Sequence, residues 1–473
     1  MKKLNEHLMT GKKDGVLFCV FFVVSFAVYF LSLKNYFIND DFIHLDFVKN
    51  FQGNYLDFLF PHVRPSDVVT HARYEPFHIY FYAFLYPFFR DSFPAYQLLH
   101  IAIHALNAFL IYKIGTRLNI RAAGAFIAAL FFCVYRLNSQ EVLWYASLFC
   151  TAAYSLLLAA FLLFLKPSRA SQFYSVGLFL VAALLSLRAP QYVLLTGAWL
   201  WVFRKELKEQ ELLGRKLKTY LAYAGVSAFS VICNLISWRH FPNDIPGFEF
   251  DFFALWAFFL NLVFPYQSGT LLKTAVLFLC CGFVVVHRKD KAVIFLTLAI
   301  ILNAFFWFLI FSAGHLPYAP RYSYIAAAFF SLLLGHFLSG AIQSGVTAKK
   351  LIAAALAVCL IGFNAYLVVS QDIVWFKYLS VRGKKLAAIS RFEAPGKKQV
   401  FIADDFFSHD PNLNYFKDEL EFVSEMPAVN SGVFPVDLER DRYAEYFGPD
   451  IGRQYWFYPW FVRKVCKDNT PWC

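Results

Sequence analysis

The sequence predicts an all-α polytopic membrane protein with about 11 transmembrane helices, followed by a small α/β domain outside the membrane. Three observations predict this class. Of the 473 residues, 59% are hydrophobic and 16% charged, whereas a soluble domain has about 45–50% apolar and about 25% charged residues. The apolar residues gather in runs near the ~20 residues that a spanning helix needs. From residue 371 onward the composition becomes that of a soluble domain. A water-soluble globule, a disordered chain and a fibre are thereby excluded. The 58 phenylalanines suit lipid-facing and interfacial surfaces better than a packed aqueous core. The formal charge of +12 bears on which side of the bilayer the Lys and Arg lie, and no nucleic-acid partner is expected.

Lys2, Lys3, Lys12 and Lys13 precede an apolar run over residues 16–33. No small-residue cleavage site follows, so this run reads as an uncleaved first span with its N-terminus in the cytoplasm. Residues 34–93 form a long, partly polar loop. Within it, residues 76–89 are short and Pro-flanked, which predicts a helix along the membrane surface. Further apolar runs cover residues 96–114, 122–135, 142–165, 173–187, 192–203, 220–238, 252–264, 270–286, 293–311, 322–338 and 351–369.

Orientation sets the count. Basic connectors occur at Lys113/Arg117/Arg121, Lys166/Arg169, Arg204 to Lys218, Arg288/Lys289/Lys291 and Lys349/Lys350. All face the cytoplasm if residues 252–264 skim the outer surface and every other run crosses. The C-terminus then lies outside. Residues 1–370 form the membrane domain and residues 371–473 an extracytoplasmic domain, with a strand-like segment at 399–403 and a helix-like one at 411–423. Most cysteines fall in apolar runs as packing residues. Cys466 and Cys473 could close a small loop in an oxidising compartment. No Asn-x-Ser/Thr sequon is present, which favours a prokaryotic source and a bacterial inner membrane.

Chemistry-bearing residues concentrate at the expected outer ends of the spans. Asp40 and Asp41 follow the first span among aromatics. Partial desolvation and a neighbouring like charge raise a carboxylate toward the range of a general base, although acidic residues also simply end a span on its wet side. Arg136, Glu141, Arg188, Lys273 and Arg321 map to the same side. Arg188 stands within apolar sequence, where a cation costs about 2.5–3.5 kcal/mol to insert, so it either snorkels or pairs with an anion. Arg321, delivered by a Pro-rich loop to a helix start, suits phosphate binding. His44, His62, His71, His78, His100 and His104 cluster in or near the first loop. His100 and His104 share a helix face, a spacing that could hold a metal, with hydrogen-bonded packing as the default.

Several short motifs stand in one order: Asp40-Asp41 after the first span, Arg73-Tyr74-Glu75-Pro76-Phe77, the helix from Tyr96 through His104, Ser139-Gln140-Glu141-Val142-Leu143-Trp144, and Arg321-Tyr322-Ser323-Tyr324. This collinear set, over roughly residues 16–338, resembles the GT-C superfamily of integral membrane glycosyltransferases. The likeness is to the protein O-mannosyltransferase and TMTC-like branch and its bacterial relatives. Glu75 stands where that family often has Arg, and Gln97 and His100 replace its usual His and Asn.

The resemblance implies a transferase that takes a sugar from a polyprenyl-phosphate donor to a hydroxyl of a protein, lipid or glycan acceptor, among membrane lipids. It implies Asp40 as base, with Asp41 sharing that role or holding a divalent ion; the family is divided over a metal. Arg321 would bind the donor phosphate, with Arg73, Lys273, Arg188 and His104 as further candidates. Glu75, His100, Glu141, Tyr322 and Tyr324 would line the substrate pocket. The sugar and the particular acceptor stay open. A transporter or flippase of a lipid-linked saccharide is the alternative; it would call for inverted repeats and broken helices in both halves, which the sequence does not show. A third reading is a scaffold whose tail binds a partner through Asp404, Asp405, His409 and Asp410.

Overall fold

In hydrocarbon a chain must satisfy its own backbone N–H and C=O groups, and the long apolar runs accordingly form helices. The computed structural model describes residues 2–35, 44–45, 47–49, 51, 53–62, 74–240, 252–263, 270–310, 320–342 and 346–389. Among these described residues there are α-helices and 3-10 turns and no strand.

The first helix, α1 (Lys2–Tyr29), ends in a 3-10 turn, Phe30–Lys34. Next come α2 (Pro76–Phe89), α3 (Phe93–Arg117), α4 (Ala122–Val134), the short α5 (Ser139–Leu143) and α6 (Leu148–Leu165). Then follow α7 (Arg169–Leu185), α8 (Gln191–Val202), α9 (Arg204–Glu209) and α10 (Leu213–His240). The last are α11 (Phe252–Val263), α12 (Thr270–Val286), α13 (Lys291–Ile310), α14 (Tyr324–Ile342) and α15 (Thr347–Ile389). Helix α3 packs against α1, α4 and α6, while α14 packs against α4, α13 and α15.

Among the described residues, six helical segments are long and apolar enough to cross a membrane: Lys13–Lys34, Phe93–Arg117, Tyr145–Leu165, Leu213–Ser237, Tyr324–Ile342 and Thr347–Ser370. The pair Ala122–Val134 and Arg136–Leu143, bent by 48°, makes a seventh if it is one broken span. Of the other expected spans, α7, α8 and α12 are helices of 17, 12 and 17 residues, and α13 runs 20 residues, of which Lys291–Phe306 counts as a shorter apolar helix. The segment expected to skim the surface forms the 12-residue α11, shorter than a spanning helix needs. Phe173, Leu271, Leu279 and Val358 stand exposed on outer helix faces, as lipid-facing side chains do.

Polar contacts bring the basic connectors to one end of the bundle. Lys113 Nζ pairs with Asp14 at 2.8 Å. Arg121 Nη1 donates to the Ser339 carbonyl at 3.5 Å, and His336 Nε2 meets Asp290 Oδ2 at 2.9 Å. Lys291 pairs with Glu206, and Arg215 Nη1 donates to the Pro167 carbonyl at 2.5 Å. Each pair adjoins the next along the chain, so the connectors form one continuous basic rim. Lys216, buried there, donates to the Phe164 and Lys166 carbonyls, and Gln172 donates to the same two. Together they satisfy carbonyls that the end of α6 leaves without helical partners. The stretch from Asp14 to Ser32 rises about 27 Å at ~1.5 Å per residue, which puts Ser32 at the opposite end of the bundle.

Two glycines set the closest helix crossing. A Cβ on Gly335 would lie 2.2 Å from the Gly124 carbonyl oxygen, and one on Gly124 would lie 2.6 Å from the Gly335 oxygen. Helices α4 and α14 therefore touch backbone to backbone. Helix α15 continues without interruption through residue 371 to Ile389. The strand-like segment at 399–403, the helix-like one at 411–423 and Cys466 and Cys473 lie outside the described residues.

Candidate functional site

At the end away from the basic rim, polar side chains from several helices meet inside the bundle. Gln97, His100, His104 and Asn107 follow one another at spacings of three and four residues along α3, so they share one helix face. All four are buried. Burial without partners would cost more than the helix could recover, and the neighbouring helices supply them.

The geometry fixes the protonation pattern. The Thr151 hydroxyl donates to the Ser147 carbonyl at 3.1 Å, so it accepts from His100 Nε2–H at 2.7 Å. His104 Nε2 faces the Cys133 carbonyl at 3.2 Å, which can only accept, so Nε2 carries the proton. His104 Nδ1 then accepts from the Tyr324 hydroxyl at 2.7 Å. That hydroxyl in turn accepts from Asn107 Nδ2 at 3.0 Å, and Asn107 Oδ1 accepts from Ser155 Oγ at 2.6 Å. Both His104 nitrogens are committed to protein groups, and the residue supports Tyr324.

Tyr324 leads into an ion pair. Its ring stacks on Tyr154, with centroids 5.0 Å apart and planes at 14°. The Tyr154 hydroxyl accepts from Arg188 Nη1 at 2.9 Å, and the same nitrogen donates to Glu141 Oε1 at 2.8 Å. Glu141 is fully buried and Arg188 8% exposed. The guanidinium also lies 5.3 Å from the Tyr154 ring and 5.5 Å from the Tyr322 ring, within cation–π range. Of the two sequence readings of Arg188, pairing with an anion is the one observed.

Breaks in the helices place these groups. The bend after α4 lets Arg136–Asn138 and α5 turn inward, carrying Glu141, and both segments pack against the 3-10 turn Pro320–Ser323. Arg188 sits in the non-helical link between α7 and α8. Glu75, the residue before α2, accepts the Leu187 backbone N–H at 2.6 Å and so holds that link beside Arg188.

The structure thus joins Glu141, Arg188, Tyr322, Tyr324 and His104 in one contact group, with His100 alongside through Thr151, and Glu75 anchors its edge. Lys273 is half-buried; its ammonium donates to Asn261 Oδ1 at 2.8 Å and not to a member of this group. Asp40, Asp41 and Arg73 lie outside the described residues, as do Asp404, Asp405, His409 and Asp410 of the tail. For Arg321 the backbone is described, in the turn Pro320–Ser323, and the side chain is not. His44 packs between His78 and Tyr82, at 4.5 and 4.8 Å between ring centroids, and His78 stacks on Phe149. Among the described residues no three His, Cys, Asp or Glu side chains stand together as metal ligands.

The sequence reading missed Tyr154, Asn107 and Thr151. Each is a polar residue within an apolar run, and Asn107 falls on the face already marked by His100 and His104. Tyr324→Phe keeps the ring stacking but removes the hydroxyl that joins His104 and Asn107. The expected result is a loss of about 1–3 kcal/mol, read as a lower unfolding temperature in detergent. An unchanged temperature would show that the hydroxyl does not hold the network.

No protein-family model matches this chain, and no curated protein matches it.

Proposed function

We propose that the protein is an integral membrane glycosyltransferase. It moves a sugar from a polyprenyl-phosphate donor to an acceptor hydroxyl at the face of the membrane opposite the basic rim. By the positive-inside tendency that face is the outer one, in a bacterial inner membrane. One observation carries the reading. Glu141 and the pair Tyr322 and Tyr324 come from two separate sequence motifs, Arg188 comes from the link between α7 and α8, and they meet at the end of the bundle where the Asp40–Asp41 loop begins.

The reaction needs few groups. The acceptor oxygen attacks the anomeric carbon, its proton passes to the Asp40 carboxylate, and the bond from that carbon to the lipid phosphate breaks. The departing phosphate keeps the bonding electrons and is stabilised by cations held in place beforehand. Arg321, on the turn packed against the Glu141 segment, is the first of these. A guanidinium presents five N–H donors in a fork that matches phosphate. Glu141 and Tyr154 fix Arg188 in orientation beside it, and Tyr322 and Tyr324 line the pocket wall. The prenyl tail lies in a groove between spans, which accounts for an enzyme built into the membrane. Asp41 shares the base role or holds a divalent ion; every step above uses this chain's own side chains.

Asp40→Asn removes the proton acceptor while keeping side-chain size. The variant is expected to insert and fold like the parent and to lose at least about a hundredfold in sugar transfer. Normal turnover by Asp40→Asn would remove Asp40 from the mechanism.

The bent pair at α4 and α5 and the break between α7 and α8 favour a second reading, a transporter of a lipid-linked saccharide, because such proteins build sites from interrupted helices. It predicts movement of the intact donor across vesicles containing the purified protein, with no bond cleaved.

A further inference from the structure

A carboxylate on the last helix reaches the same end of the bundle. Asp372 lies just past the span Thr347–Ser370 and is fully buried. Its Oδ2 accepts the Ser32 backbone N–H at 2.9 Å. Ser32 belongs to the turn Phe30–Lys34, which ends the first span and leads directly into the segment carrying Asp40 and Asp41. The contact does not stop there. The Ser32 hydroxyl accepts from Gln97 Nε2 at 3.0 Å, and the same amide nitrogen donates to the Val142 carbonyl at 2.9 Å, next to Glu141. Three hydrogen bonds therefore run from α15 through the root of the first loop to the segment that bears the ion pair.

A buried carboxylate is a costly way to hold two helices together. Asp372 Oδ1 and Gln97 Oε1 have no hydrogen-bond partner, so the carboxyl is not there to complete a closed network. The titratable groups on the elements packed against α15 at this end are Tyr29, Lys34, Cys133, Arg136, Glu141 and Tyr324, among the described residues. Of these, Tyr29 interacts electrostatically with Asp372. Burial alone pushes the carboxyl up to about 8, and the N–H groups of Ser32 and Leu31 oppose part of that rise.

We propose that Asp372 is a positioning residue that docks the turn Phe30–Lys34, from which the Asp40–Asp41 loop departs in sequence, onto the last helix. The catalytic consequence rests on the glycosyltransferase reading; the docking itself does not. The docked, buried carboxyl is neutral at neutral pH. Because its proton affinity is raised on docking, the stabilisation is full below the ordinary carboxylate range, near pH 4, and is lost as pH rises toward 8. An undocked, solvated Asp372 ionises freely over that interval.

The experiment is hydrogen exchange read by mass spectrometry on peptides covering residues 30–35, in the full-length protein in nanodiscs, between pH 6 and 8. The wild type is compared with Asp372→Asn, whose side-chain oxygen still accepts from Ser32 but cannot ionise, and with Asp372→Leu. Relative to Asp372→Asn, opening of the turn in the wild type is expected to grow roughly tenfold per pH unit. Asp372→Leu is expected to exchange fast at every pH. Equal exchange in wild type and Asp372→Asn across the range, or wild-type protection in Asp372→Leu, would overturn the proposal. If Asp372→Leu does not fold, the wild type and Asp372→Asn decide the matter between them.

A second readout separates positioning from mere stability. With a polyprenyl-phosphate sugar as donor, Asp372→Leu should lose about a hundredfold in kcat, as misplacement of a reacting group by ~1 Å does, with the donor KM unchanged. Asp372→Asn should restore it. Full kcat in folded Asp372→Leu would sink the positioning role. The exchange result stands whether or not sugar transfer is the activity, so the two failures are distinguishable.

Discussion

Replacing Arg188 by Met is expected to destabilise the protein by about 3–5 kcal/mol, because it leaves the Glu141 charge buried without its cation. The argument turns on burial. Glu141 is fully enclosed and Arg188 nearly so, with N···O at 2.8 Å, so water cannot take over from either lost partner. A surface pair of the same length would be worth about 0–1 kcal/mol. The double variant Glu141→Gln/Arg188→Met removes both charges and should recover a large part of the loss, although the parent pair itself adds little net stability. Arg188→Lys keeps the charge but replaces a planar fork with a point charge. It is expected to fall between the parent and Arg188→Met, because one Nη1 now serves both Glu141 and Tyr154. Unfolding of the parent, Arg188→Met, Glu141→Gln and the double variant in detergent gives the coupling energy. Additive losses in the double variant would show that the two charges do not depend on each other.

The second large effect is expected at the helix crossing. Gly335→Ala places a Cβ 2.2 Å from the Gly124 carbonyl oxygen and 2.8 Å from Ala128 Cβ. The first obstacle is backbone, which cannot rotate away, so α4 and α14 must separate along their contact. Overpacking of this kind costs about 1–3 kcal/mol, and Gly335→Leu should exceed that and reduce the yield of folded protein. Gly177 and Gly225 have no neighbour within 4 Å of an added Cβ, so alanine there should be neutral or mildly stabilising in a helix. Equal unfolding temperatures for Gly335→Ala and Gly177→Ala would contradict the close crossing.

Much of this architecture was legible in the residues. The apolar runs marked the helices because hydrocarbon permits little else, and the basic connectors marked one end of the bundle. The structure gathers those connectors on a single rim through contacts such as Lys113 with Asp14. For Arg188 the sequence left snorkelling and pairing with an anion both open, and the structure shows the pair. Its partner Glu141 was a named candidate, but the sequence could not say that the two would meet. That depends on the bend after Val134 and the break before Gln191. Both breaks fall at gaps between apolar runs, at 136–141 and 188–191, but the angle of each bend is decided by packing and not by local propensity.

Asp372 was hidden for a different reason. Its neighbours Ser370 and Gln371 mark the end of an apolar run, so composition assigned it to the tail, whereas the helix continues through it. Lys273, a further phosphate candidate by the resemblance, has its ammonium on Asn261 Oδ1, a contact that spacing along the chain does not show.

The most direct test of the central claim is incubation of the purified, membrane-reconstituted protein with a panel of polyprenyl-phosphate sugars and acceptors, following the lipid product. Sugar transfer predicts release of free polyprenyl phosphate in step with glycosylated acceptor, and its loss in Asp40→Asn. Intact donor appearing in the opposite leaflet, with no lipid phosphate freed by any sugar in the panel, would contradict it.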